Sequence, residues 1–267
     1  MLTGERRSAW ERDGFFIVGG FADSEVGDAM HARAVELARQ AGGAGRAGPS
    51  LVQPEARTNP NARQPEDGVS KIFNLHREEA VFRSFIQDER VLDGVAGLIG
   101  PDLDCFLSQF IFKNPGALGQ PWHQDSFYFR FDRTPQVGLW LAVTEATIEN
   151  GCLHVVPGSH REPVHTHVPD RRPGANYGYV EIVDHDMSSS IPVEMQPGDL
   201  LVFHSHLMHR STSNESSGLR AAMVYHLAEA GTVDRDEKPA AINDWFPVRR
   251  NIEPVNGARR SRHEAGS

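Results

Sequence analysis

The chain has 267 residues, with 36 acidic side chains against 27 basic ones, a formal charge of −9, and two cysteines. That length suits one large domain or two small ones, and all-β barrels of this size are commonly single domains. The acidic balance argues against a nucleic-acid partner, which needs a basic patch, and Cys105 and Cys152, both set in apolar runs, read as buried free thiols rather than a disulfide framework.

The opening stretch MLTGERRSAWERDG has no apolar h-region, and no apolar run of about 18 residues occurs, so a cytoplasmic protein with no membrane partner is expected. Residues 5–13 predict a short helix ending at Asp13-Gly14, and Phe15-Phe16-Ile17-Val18 predicts a strand bounded by glycines. Asp23 or Ser24 caps a helix running to about residue 40, with Val26, Met30, Ala34 and Leu37 at helical spacing. Residues 41–67, rich in Gly, Pro, Asn and Arg, read as a long lid-like loop. Helices follow near 79–87 and 89–99, closed by Gly100-Pro101. From Leu103 onward short β-rich segments recur at 105–113, 121–131, 136–145, 152–156, 192–196, 199–204, 206–210 and 219–227. Their number and spacing predict an all-β core with flanking helices, a cupin-like jelly roll. The expected plan is one domain over 1–267: a helical flank (1–102), a jelly-roll core (103–230) and a C-terminal extension (231–267). The basic stretch Arg249-Arg250 and Arg259-Arg260-Ser261-Arg262 reads as a solvated tail.

The segment Pro121-Trp122-His123-Gln124-Asp125 carries chemistry. In an extended chain, side chains at i and i+2 share a face, so His123 and Asp125 reach one ion while Gln124 points away. An imidazole and a carboxylate suit Fe(II), Mn(II) or Zn(II), and a third ligand completes a facial triad. That ligand is expected on the strand after Pro197-Gly198-Asp199, which delivers His204, His206 and His209, and spacing alone does not choose among the three. Arg220 favours His209: a hairpin through the polar turn at 211–218 would fold Arg220 back beside the strand ending at His209. A guanidinium there would pair with the far carboxylate of a dicarboxylic cosubstrate, with Ser211 adding a hydroxyl donor. The other histidines, His154, His160, His165, His167, His185, His226 and His263, read as scaffold or solvated side chains.

The motifs Phe110-Ile111-Phe112-Lys113, Trp122-His123-Gln124-Asp125, Gly138-Leu139-Trp140-Leu141-Ala142-Val143, Glu149-Asn150-Gly151-Cys152-Leu153 and Val156-Pro157-Gly158-Ser159-His160 stand together with Pro197-Gly198-Asp199, His209-Arg210-Ser211, Arg220 and Tyr225-His226-Leu227. In this set the chain resembles the phytanoyl-CoA dioxygenase family, most strongly over 103–230. The resemblance implies a double-stranded β-helix and an Fe(II)- and 2-oxoglutarate-dependent dioxygenase that consumes O2. It implies His123, Asp125 and His209 as iron ligands and Arg220 as the anchor of the 2-oxoglutarate distal carboxylate. Trp140, Ser211, Lys71 and Gln109 would line the cosubstrate pocket. Asp125, in place of the small residue that halogenases of this type require, implies hydroxylation, or desaturation, cyclisation or epimerisation, of a small-molecule substrate. No basic cluster suited to a CoA phosphate accompanies the motifs.

Two rival classes share parts of this pattern. A zinc or manganese cupin acting as an isomerase or hydrolase would use the same two histidines and carboxylate, but would have no need of Arg220 with Ser211. A non-catalytic β-sandwich binding module would carry the histidines incidentally. The sequence leaves substrate identity and oligomeric state open.

Overall fold

Successive side chains of a strand point to opposite faces of its sheet, and this alternation organises the molecule. A computed structural model describes residues 1–57, 62–236 and 242–251. The elements in chain order are α1 (Gly4–Asp13), β1 (Phe15–Val18), α2 (Ser24–Gln40), β2 (Gly45–Ala47), β3 (Ser50–Pro54), β4 (Val69–Phe73), α3 (Ala80–Ile86), α4 (Glu89–Ile99), β5 (Leu103–Lys113), β6 (Val137–Ala142), β7 (Leu153–Val155), β8 (His167–Pro169), β9 (Val180–Ile182), β10 (Ile191–Val193), β11 (Leu200–His204), β12 (His209–Ser211), β13 (Arg220–Glu229) and β14 (Phe246–Arg249). The major sheet runs β1-β11-β6-β13-β5-β4-β3-β2, with β14 also pairing with β5. Strands β10, β7 and β12 form a small sheet, and β8 with β9 a two-stranded ribbon.

On β13, Ala221, Met223, Tyr225 and Leu227 share one apolar cluster with Phe110 and Phe112 of β5, Leu139 and Leu141 of β6 and Val202 of β11. Met30, Ala34 and Leu37 of α2, Phe82 and Phe85 of α3, and Val91 and Val95 of α4 complete that cluster, so the helices cover this face. The intervening Ala222, Val224, Trp140, Leu201 and Phe203 pack instead against Leu153, Val155 and Val193 of the small sheet. Two sheets face each other and helices seal the outside of the larger one. This is the double-stranded β-helix that the strand pattern and the family resemblance imply. Each large side chain buried on the helix side contributes about 1.5–3 kcal/mol, so that face is the main store of stability.

Several expected elements take a different form. Residues 121–131, expected as a strand, make an isolated bridge at His123 and then a 3-10 turn over Asp125–Phe127, in which the Tyr128 N–H donates to the Asp125 carbonyl. Extended backbone survives at Gln124 (φ −117°, ψ 131°), which is enough to keep His123 and Asp125 on one side. Residues 206–210, also expected as a strand, begin with a turn at Ser205 and His206, because the chain leaves the major sheet at His204 and enters the small sheet at His209. Strand β12 therefore pairs with β7, and β13 with β5 and β6. The expected hairpin placing Arg220 beside His209 does not form.

Residues 41–67, expected as a lid-like loop, contain the β2–β3 hairpin, and β3 pairs with β4 to extend the major sheet. Strands of three and five residues interrupted by Gly48-Pro49 leave almost no alternation to read. Among the described residues, the first 102 thus supply four strands as well as four helices. The expected extension after residue 230 supplies β14, while Arg259, Arg260, Arg262 and His263 lie outside the described residues. Among the described residues, no helix is long and apolar enough to cross a membrane.

Candidate active site

His123 and His209 are partners in the isolated bridge, each donating its N–H to the other's carbonyl at 2.9 and 3.0 Å. Their ring centroids lie 4.1 Å apart. Nδ1 of His123 sits 2.8 Å from the Pro121 carbonyl, and Nδ1 of His209 sits 2.9 Å from the Leu207 carbonyl. A carbonyl only accepts, so each Nδ1 carries the proton and each Nε2 presents a lone pair. Those Nε2 atoms lie 3.6 and 3.7 Å from Oδ1 of Asp125. With metal–ligand bonds of about 2.0–2.2 Å, atoms so spaced reach a single ion.

All three residues are buried. Burial, then the neighbouring His209, hold the His123 imidazolium well below its ordinary range, so the ring stays neutral and free to ligate. Oδ2 of Asp125 is buried without a hydrogen-bond partner and lies 3.6 Å from Nδ1 of His226. A buried orphan acceptor and two imidazole lone pairs converging on one carboxylate fit a divalent cation. Gly138 contributes by lacking a Cβ, which would collide with the Phe203 ring. Phe203 thereby packs at 5.1 Å from the His209 ring.

Arg220 opens β13, opposite Lys113 of β5. Its side chain is 1% exposed, Nη2 donates to the Gly151 carbonyl at 3.2 Å, and Nε and Nη1 have no partner. The guanidinium carbon lies 5.5 Å from the centre of the Trp140 ring. Burial pushes the Arg220 pKa down to about 10, which still leaves it cationic at neutral pH. Nζ of Lys113 donates to Ser211 Oγ at 2.9 Å and to the Thr212 carbonyl at 2.5 Å, while burial and then Arg220 push its ammonium well below the usual range. A buried guanidinium with two unpaired N–H donors fits a carboxylate. Ser211 follows His209 by two residues on β12 and so shares its face. Its Oγ also accepts the Gln120 N–H at 3.1 Å, and Gln120 reaches His123, so Ser211 links Lys113 to the His123–Asp125–His209 cluster.

The remaining expected site residues divide. Trp140 lies on the inner face of β6, beside Arg220. Lys71 reaches the cluster through Gln120: Nζ donates to Gln120 Oε1 at 3.2 Å, and Gln120 Nε2 lies 3.0 Å from His123 Nε2. Gln109 Nε2 lies 3.4 Å from His226 Nε2, so it approaches Asp125 only through that ring. His204 and His206 stay outside. The His204 ring packs 5.5 Å from Trp10 and 5.2 Å from His160, and its Nδ1 accepts the His206 N–H at 2.9 Å.

The sequence pattern does not single out Lys113, Gln120 or His226. Alternation could have found two of them, since Lys113 shares the inward face with Gln109 and His226 shares it with Arg220. Gln120 carries no such signal, because its partners come from elements remote in the chain. Residues 161–190 fold as the β8–β9 ribbon over this site. Asn176 Nδ2 donates to Ser70 Oγ at 2.9 Å, Arg172 Nη2 donates to the Gly119 carbonyl at 2.6 Å, and Tyr179 stands 5.0 Å from Lys71 Nζ.

A family model described as Phytanoyl-CoA dioxygenase (PhyH) matches residues 10–222. The chain is similar to phytanoyl-CoA dioxygenase 1 of Oryza sativa subsp. japonica, at 28% identity over 261 residues, covering 85% of this chain and 89% of that one. It is 33% identical over 172 residues to the peroxisomal phytanoyl-CoA dioxygenase of Bos taurus, covering 62% of this chain and 51% of that one. It thus spans about half the length of the bovine relative. The fold is similar to that of EctD from S. alaskensis with bound Fe, with a TM-score of 0.66 and 22% identity over 89% of this chain and 80% of that one.

Proposed function

The chain belongs to the phytanoyl-CoA dioxygenase family, whose members are non-haem iron oxygenases dependent on 2-oxoglutarate, and from that premise we propose that it hydroxylates an unactivated C–H bond of a small organic molecule. The observation that carries this reading is the Arg220 guanidinium, buried yet with two nitrogens lacking acceptors. A buried cation without a counter-charge is costly, and a dicarboxylic cosubstrate supplies one. A zinc or manganese cupin acting on other chemistry has no use for that anchor.

Nε2 of His123, Oδ1 of Asp125 and Nε2 of His209 would hold the ferrous ion, a ligand set of the two-histidine, one-carboxylate type. Bound iron supplies the activation of O2, coupled to conversion of 2-oxoglutarate to succinate and CO2. Arg220 holds the distal carboxylate with its fork of donors. Ser211 Oγ already accepts from Lys113 Nζ and from the Gln120 N–H, so its own proton is free to turn toward that carboxylate. Trp140 supplies the apolar wall beside the guanidinium. Lys71 and Gln109 act as positioning residues, through Gln120 on His123 and through His226 on Asp125. Asp125 fills the place a halide would take, which favours hydroxylation over halogenation. A small-molecule substrate and a cytoplasmic location belong to the same proposal.

Protein reconstituted anaerobically with Fe(II) should release succinate from 2-oxoglutarate once O2 and ascorbate are admitted. Equal release with zinc in place of iron would end this reading. Asp125→Ala and His209→Ala should each lower release by more than about 100-fold, the upper range for residues one shell further out, with thermal unfolding close to wild type. His206→Ala should stay active, and the reverse outcome would remove His209 from the ligand set.

A further inference from the structure

A second convergence of ligating atoms lies at the open end of the β8–β9 ribbon. Glu162 ends the short turn Ser159–Arg161, His165 precedes β8, and Asp184 and His185 follow β9. His167 pairs with Ile182, and the Val183 N–H reaches the Thr166 carbonyl at 3.4 Å, so the ladder continues until His165 stands opposite Asp184. Oε2 of Glu162 lies 3.0 Å from Nε2 of His165 and 3.3 Å from Nε2 of His185. Two imidazoles from opposite sides of the ribbon therefore aim the same ring nitrogen at one carboxylate oxygen. All three ligating atoms fall within 4.8 Å of one another. Nδ1 of His165 lies 3.1 Å from Oδ1 of Asp184, whose other oxygen accepts the Thr166 N–H at 3.1 Å.

We propose that Glu162, His165 and His185 form a second metal site, of the zinc type and separate from the His123–Asp125–His209 cluster. A tetrahedral ion with bonds of about 2.0–2.1 Å separates its ligand atoms by roughly 3.3 Å, which the 3.0 and 3.3 Å spacings from Glu162 approach. Asp184 fills the role that a carboxylate plays behind most metal-bound histidines, fixing tautomer and ring orientation through the other nitrogen. The three ligands are partly exposed, as a site loaded from solvent requires. Three protein ligands would leave a fourth tetrahedral position for a solvent ligand.

The site is built to act as a staple. It joins the two strands of the ribbon that carries Asn176 and Tyr179 toward Ser70 and Lys71. It also abuts the segment holding the proposed iron ligands. Gln124, fully buried between His123 and Asp125, accepts the His165 N–H at 2.8 Å and donates to the Pro163 and His206 carbonyls at 3.1 and 2.9 Å. His167 takes no part, because its Nε2 accepts the Gln124 N–H at 3.0 Å.

The test uses the full chain with His123→Ala and Asp125→Ala together, stripped with chelator and then titrated with Zn(II) alone and with Co(II) alone. That protein should bind about one equivalent of zinc and give the intense visible bands of tetrahedral cobalt. Zinc should also raise its thermal midpoint. Adding His185→Asn should abolish the bands and the thermal shift without altering the circular dichroism, and adding His165→Ala should do the same. Less than about a tenth of an equivalent of zinc in the double variant, or binding that survives both added substitutions, overturns the site. None of these readouts depends on succinate release, so failure of the iron assignment and failure of this one are separable.

Discussion

Tyr225 and His226 are neighbours on β13, both almost fully buried, yet they belong to regions with opposite rules. Tyr225 faces the helices. Its hydroxyl donates to the Phe82 carbonyl at 2.8 Å and its ring stacks on Phe85 at 5.6 Å, so it closes its polar atom within an apolar layer. His226 faces the small sheet, where Asp125 stands 3.6 Å from one ring nitrogen and Gln109 stands 3.4 Å from the other. The same face carries Arg220 with two unpaired nitrogens and Asp125 with an unpaired oxygen. Tyr225 closes its polar atom within the scaffold while the other face leaves charged groups without partners, which is the expected division between a scaffold and a site of chemistry.

Substitutions on either side test that division. Phe110→Ala empties a fully buried position on the helix side and should cost about 3–5 kcal/mol in urea denaturation, with succinate release per folded molecule nearly unchanged. An activity loss exceeding the loss of folded protein would show that the two faces are coupled. Arg220→Met acts in the opposite sense. It removes a buried charge from an apolar setting, so the protein without cosubstrate should gain roughly 1–4 kcal/mol. The 2-oxoglutarate concentration for half-maximal turnover should rise by roughly 30-fold or more, the equivalent of about 2 kcal/mol of charged pairing. A less stable variant with unchanged cosubstrate dependence would remove Arg220 from its proposed role.

The β5, β6, β11 and β13 strands were legible because each is a largely apolar, buried run bounded by turn residues. The 121–125 motif was legible for a local reason: only the extended conformation at Gln124 is needed to bring His123 and Asp125 together. What failed was pairing. Nothing local distinguishes a chain that turns back into a hairpin after His209 from one that crosses to a second sheet, so Arg220 reached the site by a route other than the expected one. Phe129 and Phe131 show a similar limit, since their burial with Phe106 as core is decided by residues far away in the chain. The Glu162–His165–His185 convergence was hidden for the same reason. Each histidine alone resembles a solvated side chain, and only the ribbon register brings them together.

His204 gives the finest probe of the boundary between the two regions, because it ends β11 where the chain leaves the major sheet. Its ring lies among Trp10, His160 and His206, and burial drives its pKa down to about 3. The unfolded chain takes up a proton as the pH falls through the ordinary histidine value of about 6.5, whereas folded His204 refuses one until about 3. Stability is therefore lost on acidification across that window, by up to about 1.4 kcal/mol per pH unit for this group. His76, also lowered chiefly by burial, adds to the loss with the same sign. His204→Asn retains an acceptor for the His206 N–H but cannot titrate. Its denaturation free energy should accordingly fall less steeply between about pH 6 and about pH 4, by at most one group's slope, with little change at neutral pH. An unaltered slope would mean that folded His204 already carries the proton, and that the helix-side packing around Trp10 tolerates a charge.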